Sequence, residues 1–107
     1  MNTGQFIGNL VNEVKITEFE NDGKKGIVGN GVIACSEKYG DNEITSFIDF
    51  TVYNNKAKVL KEYTNKGTQV GLSGKMRTET YEDRNKVKRK KTYLFVDNVD
   101  LMGKGNG

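Results

Sequence analysis

The sequence contains no histidine, no proline and no tryptophan, and only one cysteine in 107 residues. Without histidine, Ser-His and Cys-His catalysis and His-ligated zinc are excluded. A single cysteine excludes an internal disulfide. Cys35 follows Val32, Ile33 and Ala34, so it reads as a small buried hydrophobe and not as a nucleophile. Without proline, tight turns must be built from Gly, Asn and Asp, and Gly is abundant at 13 residues. No apolar segment approaches membrane-spanning length. The N-terminus has no basic stretch followed by an apolar run, so no secretory signal is expected. A soluble, cytoplasmic protein with no membrane association follows as the expectation. Asp49 is a lone carboxylate, and the acids show no ligand spacing, so neither an enzyme nor a metal or other cofactor is expected.

The charge is unevenly placed. The formal net charge is +3, from 17 basic and 14 acidic residues. Residues Arg84 to Lys91 (RNKVKRKK) hold six of those basic residues and no acid, leaving eleven against fourteen elsewhere. All of the net positive charge therefore sits in one short segment, as a site for an anionic partner would require.

The most informative stretch is Ile44 to Tyr53 (ITSFIDFTVY). It alternates as a half-buried strand does. Ile44, Ser46, Ile48, Phe50 and Val52 form a face fit for a core. The opposite face carries Thr45, Phe47, Asp49, Thr51 and Tyr53. Two aromatics on a polar face need a cover, such as a subunit, a loop or a flat π ligand. Phe47 and Tyr53 would stand roughly 20 Å apart along the strand, a span over which several nucleotides can lie.

The remaining chain supplies a frame for this strand. Gln5 to Phe19 reads as one long strand, with Phe6 and Leu10 on one side and Ile7 and Val11 on the other. Asn21-Asp22-Gly23 is a turn. Gly26 to Ser36 returns antiparallel, and Gly29 and Gly31 within it mark a bend or close approach. Glu37 to Glu43 reads as a polar loop around Tyr39. A helix is expected over Asn55 to Thr64, capped by Asn54, with Ala57, Leu60 and Tyr63 inward and Gly67 as its stop. Thr68 to Tyr81 turns Val70, Leu72 and Met76 one way and Lys75, Arg77 and Tyr81 the other. Glu82 to Lys91 makes a basic hairpin tip, and Thr92 to Met102 is the last strand. Residues 3–102 form one domain; residues 103–107 have the composition of a flexible tail. Five strands with one helix between the third and fourth is the order of an OB-fold, an all-β, partly open barrel. A five-stranded sheet closed differently gives the same string.

Single-strand binding needs aromatic rings for bases and cations for phosphates. Phe47, Tyr53, Tyr81 and Tyr39 supply the rings. Lys75, Arg77, Lys86, Lys88, Arg89 and Lys90 supply the charge. Each ring alone reads more readily as a cross-strand pair or subunit contact, and the hairpin alone equally as a solvated tip. Their joint occurrence points to sequence-neutral nucleic-acid binding.

The chain resembles the bacterial-type single-stranded DNA-binding proteins from about Phe6 to Met102. The resemblance rests on Ile7-Gly8-Asn9-Leu10, Ser36-Glu37-Lys38-Tyr39, Phe47-Ile48-Asp49, Ala57 with Glu62-Tyr63, Lys66-Gly67, and the run from Gly74 to Asp83. It implies that the family's four stacking positions fall on Tyr39, Phe47, Tyr53 and Tyr81; three of these also emerge from strand alternation. It further implies an OB-fold, a homotetramer paired through its first strand, and a role in DNA replication, recombination and repair with partners from those processes. The sequence departs from the family in lacking Trp and in ending without the long acidic tail. The expectation is a short member, as phages and other mobile elements encode, or a truncated one. The rival readings are a dimeric OB-fold accessory or RNA-binding module, and a purely structural oligomerisation module.

Overall fold

The computed structural model describes residues 2–102; the flexible tail expected over residues 103–107 lies outside them. The elements are β1 (Gly4–Leu10), β2 (Lys15–Asn21), β3 (Lys24–Tyr39), β4 (Asn42–Tyr53), α1 (Asn54–Tyr63), β5 (Gln69–Glu82) and β6 (Lys88–Leu101). In the sheet they neighbour one another in the order β1-β5-β6-β4-β3-β2. β1 also pairs with β3, through Asn9–Ala34 and Leu10–Ile33, so β1, β5, β6, β4 and β3 close into a barrel. β2 adds to β3 as an extra strand. β4 and β6 run parallel and pair in the ladder at Phe50–Leu94 and Thr51–Phe95. This is the expected OB-fold, with the helix before the fourth barrel strand.

The first strand is not continuous. Residues 11–14 leave the ladder between β1 and β2. Leu10 N–H donates to Thr68 O (2.9 Å) while Val11 N–H donates to Val32 O (2.9 Å). The chain thus passes from one partner strand to the other within one residue. A strand that closes a small barrel must bend to do this. Asn12 and Glu13 take the exposed bend, and Val14 turns into the core.

The core gathers Ile33, Phe50, Val52, Leu60, Val70, Leu72 and Leu94. Two glycines make its close packing possible. Gly31 faces Phe50, and a Cβ there would come within 2.6 Å of the ring's Cζ. Gly74 lies against the Phe95 carbonyl oxygen, which a Cβ would overlap. It stands at a bulge: Ser73 pairs with Asn98 and Gly74 with Val96, leaving Asp97 unmatched. The extra residue switches the inward face of β6 from Leu94 and Val96 to Val99 and Leu101.

The helix differs from expectation at both ends. Ala57 and Leu60 are buried, but Tyr63 is 65% exposed. At 100° per residue, Thr64 falls in line with Ala57 and Tyr63 falls well to one side. Thr64 takes the inner position, its hydroxyl donating to the Leu60 carbonyl. At the start, Tyr53 occupies the cap position in extended backbone, with no side-chain cap bond. Asn54 does not cap; its Oδ1 accepts from Ile27 N–H at 3.3 Å, tying the helix to β3.

Both hairpins run further than expected. The stretch Glu37 to Glu43 is not a loop: β3 and β4 pair out to Tyr39–Asn42, across a turn of Gly40 and Asp41 alone. Gly40 has φ of 62°, as a two-residue hairpin turn requires. The outer half of this arm leaves the barrel, so Ile44 is 52% exposed and Ser46 is exposed, while Ile48 is half-buried and Phe50 and Val52 are core. Likewise, β5 and β6 pair out to Glu82–Lys88, so the basic tip narrows to residues 83–87 and Lys88–Lys91 belong to a strand.

Candidate nucleic-acid interface

Register decides which side chains share a surface, since directly paired residues point to the same side of a sheet. Across β3, β4, β6 and β5, Asn30 pairs with Thr51, Thr51 with Phe95, and Phe95 with Lys75. Alternation from this row places Asp49, Phe47 and Tyr53 of β4, Tyr93, Lys91 and Arg89 of β6, and Arg77, Glu79 and Tyr81 of β5 on one outer face.

The centre of that face is aromatic. Tyr53 lies between Phe19, edge-on with centroids 6.1 Å apart, and Phe95, tilted at 5.5 Å. The Arg77 guanidinium sits 4.4 Å above the Phe95 ring, a geometry that holds the cation flat on the surface. Phe47, further along β4, is 66% exposed. Tyr81 is exposed on the β5 arm, opposite Arg89. Tyr39 is exposed at the end of the β3–β4 arm. By alternation it shares its side with Glu37 and Cys35, opposite the side that carries Phe47.

Alternation also divides the basic run. Arg89 and Lys91 belong to the aromatic face; Lys88 and Lys90 point to the other side of β6. Lys86 lies in the turn with φ of 62°. Arg89 is engaged: its Nε donates to Asp83 Oδ2 at 2.9 Å. That pairing, followed by backbone donation from Val87, holds the Asp83 carboxyl below its ordinary pKa. Lys91, Asn30, Asp49, Thr51 and Tyr93 line a cleft of about 320 Å³ beside the aromatic row. Thr51 donates to Asn30 Oδ1 (2.9 Å), and Tyr93 donates its hydroxyl to Glu79 Oε1 (3.0 Å). Burial and then that bond to Glu79 raise the Tyr93 pKa.

Sequence reasoning missed Phe95, Phe19 and Tyr93, and took Lys91 only as part of the basic run. The alternation of Tyr93 and Phe95 with Leu94 and Val96 marks both as outward-facing, but not which strands they neighbour. Cys35 is half-buried, and burial, then Glu37, pushes its thiol pKa up, against a nucleophilic role. Among the described residues, no group of three or more His, Cys, Asp or Glu side chains could hold a metal ion. No helix among them is long and apolar enough to cross a membrane.

The model of the single-strand binding protein family matches residues 1–102. The chain belongs to that family. It is a family of binding proteins, not enzymes. The single-stranded DNA-binding protein of Clostridium tetani is 31% identical over 99% of this chain and 73% of its own length. That of Borreliella burgdorferi is 36% identical over 56% of this chain and 41% of its own length. Single-stranded DNA-binding protein 1 of a Synechocystis strain is 25% identical over 96% of this chain and 84% of its own.

Proposed function

We propose that this member of the family binds single-stranded DNA with little sequence preference and protects it during replication, recombination and repair. The observation that carries the reading is Phe47, mostly exposed on the same face as the Tyr53–Phe95–Arg77 cluster. A folded chain has no packing reason to leave a phenyl ring in water, whereas a base can stack on it for about 1–3 kcal/mol. Phe47, Tyr53 and Tyr81 are the stacking platforms. Tyr39 takes a base where the strand rounds the tip of the β3–β4 arm. Lys75, Arg77 and Arg89 meet phosphates on the face itself, and Lys86, Lys88 and Lys90 extend the positive field around the β5–β6 arm. Stacking is indifferent to base identity, so sequence-neutral binding follows.

The protein acts as a homo-oligomer, a tetramer by analogy with the family. Support comes from Ile7, which is 55% exposed on the outer side of β1 and needs a cover that a second copy supplies. The test is titration with oligo-dT, read by tyrosine fluorescence. Quenching with similar affinity for dT, dC and dA supports the reading. Stronger binding to rU than to dT would favour an RNA-binding module instead. Absence of quenching or binding would favour a structural module.

A further inference from the structure

The carboxylate of Asp83 divides its two oxygens between different tasks. Oδ1 accepts from Asn85 N–H (2.8 Å) and Val87 N–H (3.0 Å). These bonds close the turn that joins β5 to β6, an Asx-type loop in which a side-chain oxygen replaces a backbone acceptor. Oδ2 accepts from Arg89 Nε (2.9 Å). Arg89 stands across from Tyr81 in the ladder, on the aromatic face.

An acid within a basic segment would ordinarily weaken its attraction for phosphate. Here its position suggests the opposite. An arginine side chain free in water samples many rotamers, and fixing it on binding costs conformational entropy. Asp83 fixes it beforehand, through Nε alone. The two Nη groups, with four N–H donors between them, stay free to fork onto a phosphate. The Arg89 side chain is 58% exposed despite the pairing.

We infer that Asp83 is a positioning residue, which presets the Arg89 guanidinium beside Tyr81 to take the phosphate next to a base stacked on that ring. The inference rests on the reading of this face as a single-strand binding surface. It assigns a binding role to an acidic side chain that charge alone would count as unfavourable.

Asp83→Asn separates the two tasks. The amide oxygen of Asn can still accept from Asn85 and Val87, so the turn keeps its closure. The amide nitrogen that replaces Oδ2 cannot accept from Arg89. The variant also gains one unit of positive charge, so a diffuse electrostatic field predicts tighter binding, and a positioning role predicts weaker binding. The experiment is a salt series of oligo-dT titrations on wild type, D83N, R89Q and the double variant. For loss of one preset phosphate contact, D83N should bind on the order of threefold to tenfold more weakly, and the log–log salt slope should flatten by about 0.7. D83N should have no further weakening effect once Arg89 is Gln. In the free protein, the Arg89 Nε–H resonance should be resolved by NMR in wild type and lost in D83N. Binding by D83N as tight as wild type, an equal loss with and without Arg89, or an unresolved wild-type resonance would each overturn the inference. Failure of wild type itself to bind oligo-dT would refute the binding reading and this inference with it, even if the resonance behaved as expected.

Discussion

Phe47 and Phe50 lie three residues apart on one strand, on opposite faces, and their truncation should have opposite consequences. Phe47 is 66% exposed and Phe50 only 1%. Full burial of a Phe side chain contributes about 1.5–3 kcal/mol, so the third of Phe47 that is covered contributes about 0.5–1 kcal/mol. Phe47→Ala should therefore lower the melting temperature by only a few degrees, far less than Phe50→Ala. Phe50 fills the space opposite Gly31, with Ile33, Val52 and Leu94 in the same core cluster. Its removal leaves a cavity, and Phe50→Ala should cost about 3–5 kcal/mol of stability. Binding should show the reverse ranking. Loss of one stacking platform should weaken oligo-dT binding by about 1–3 kcal/mol, roughly fivefold to 150-fold. Phe50→Ala, studied at a temperature where it remains folded, should bind within a few-fold of wild type. Urea denaturation and tyrosine quenching on the same samples measure both quantities. Unaltered affinity for Phe47→Ala would remove Phe47 from the binding face, and a large loss of stability would show that its ring packs on something.

Four further outcomes are expected. Ile7→Lys should give smaller species than wild type in sedimentation at micromolar concentration; a monomeric wild type would refute the oligomer. Lys91→Ser, on the aromatic face, should flatten the salt slope by about 0.7, and an unchanged slope would place Lys91 off the path of the strand. Tyr93 has a raised folded-state pKa, so its protonated form is favoured by folding. That stabilisation is complete below the ordinary phenol value of about 10 and is lost as pH rises through the folded value. An absorbance titration should show a late-titrating phenol that disappears in Tyr93→Phe and moves back towards the ordinary value in Glu79→Gln. Asp83 has a depressed folded-state pKa, so its contribution holds above the ordinary carboxylate value of about 3.9 and fades only as pH falls through the lower, folded value. The difference in affinity between wild type and Asp83→Asn should accordingly be constant from neutral pH to pH about 5, and a difference that narrows across this window would contradict the ion pair.

Strand alternation is a local property, and it located what is local. It placed Phe47 and Tyr53 on one face of β4, and Tyr81 with Lys75 and Arg77 on one face of β5, as the paired registers have them. Phe19 and Phe95 escaped because their role depends on which strands are neighbours. Phe95 meets Tyr53 only through the parallel contact of β6 with β4, which no local pattern announces. The arm from Glu37 to Glu43 has the sequence pattern of a loop because water lies on both of its faces. A strand with no core to face has no apolar alternation, and only Gly40-Asp41 marked the hairpin. The single long first strand concealed its break for the reverse reason, since apolar residues continue through Val11 and Val14. The apolar character of Tyr63 points to the core, yet Thr64 holds the better angle and satisfies its hydroxyl within the helix. Residues that serve two purposes, such as Asp83, are legible only when both oxygens can be followed to their partners.

Where a single strand touches this barrel is the most direct test of the aromatic face. Chemical-shift mapping with oligo-dT answers that residue by residue. The largest changes should fall on Phe47, Tyr53, Phe95, Tyr81 and Arg77, with Tyr39 at the arm tip, while the outer side of β1 around Ile7 and the helix face around Tyr63 stay unchanged. Changes concentrated on β1 or the helix, with Phe47 and Tyr81 silent, would contradict binding on that face.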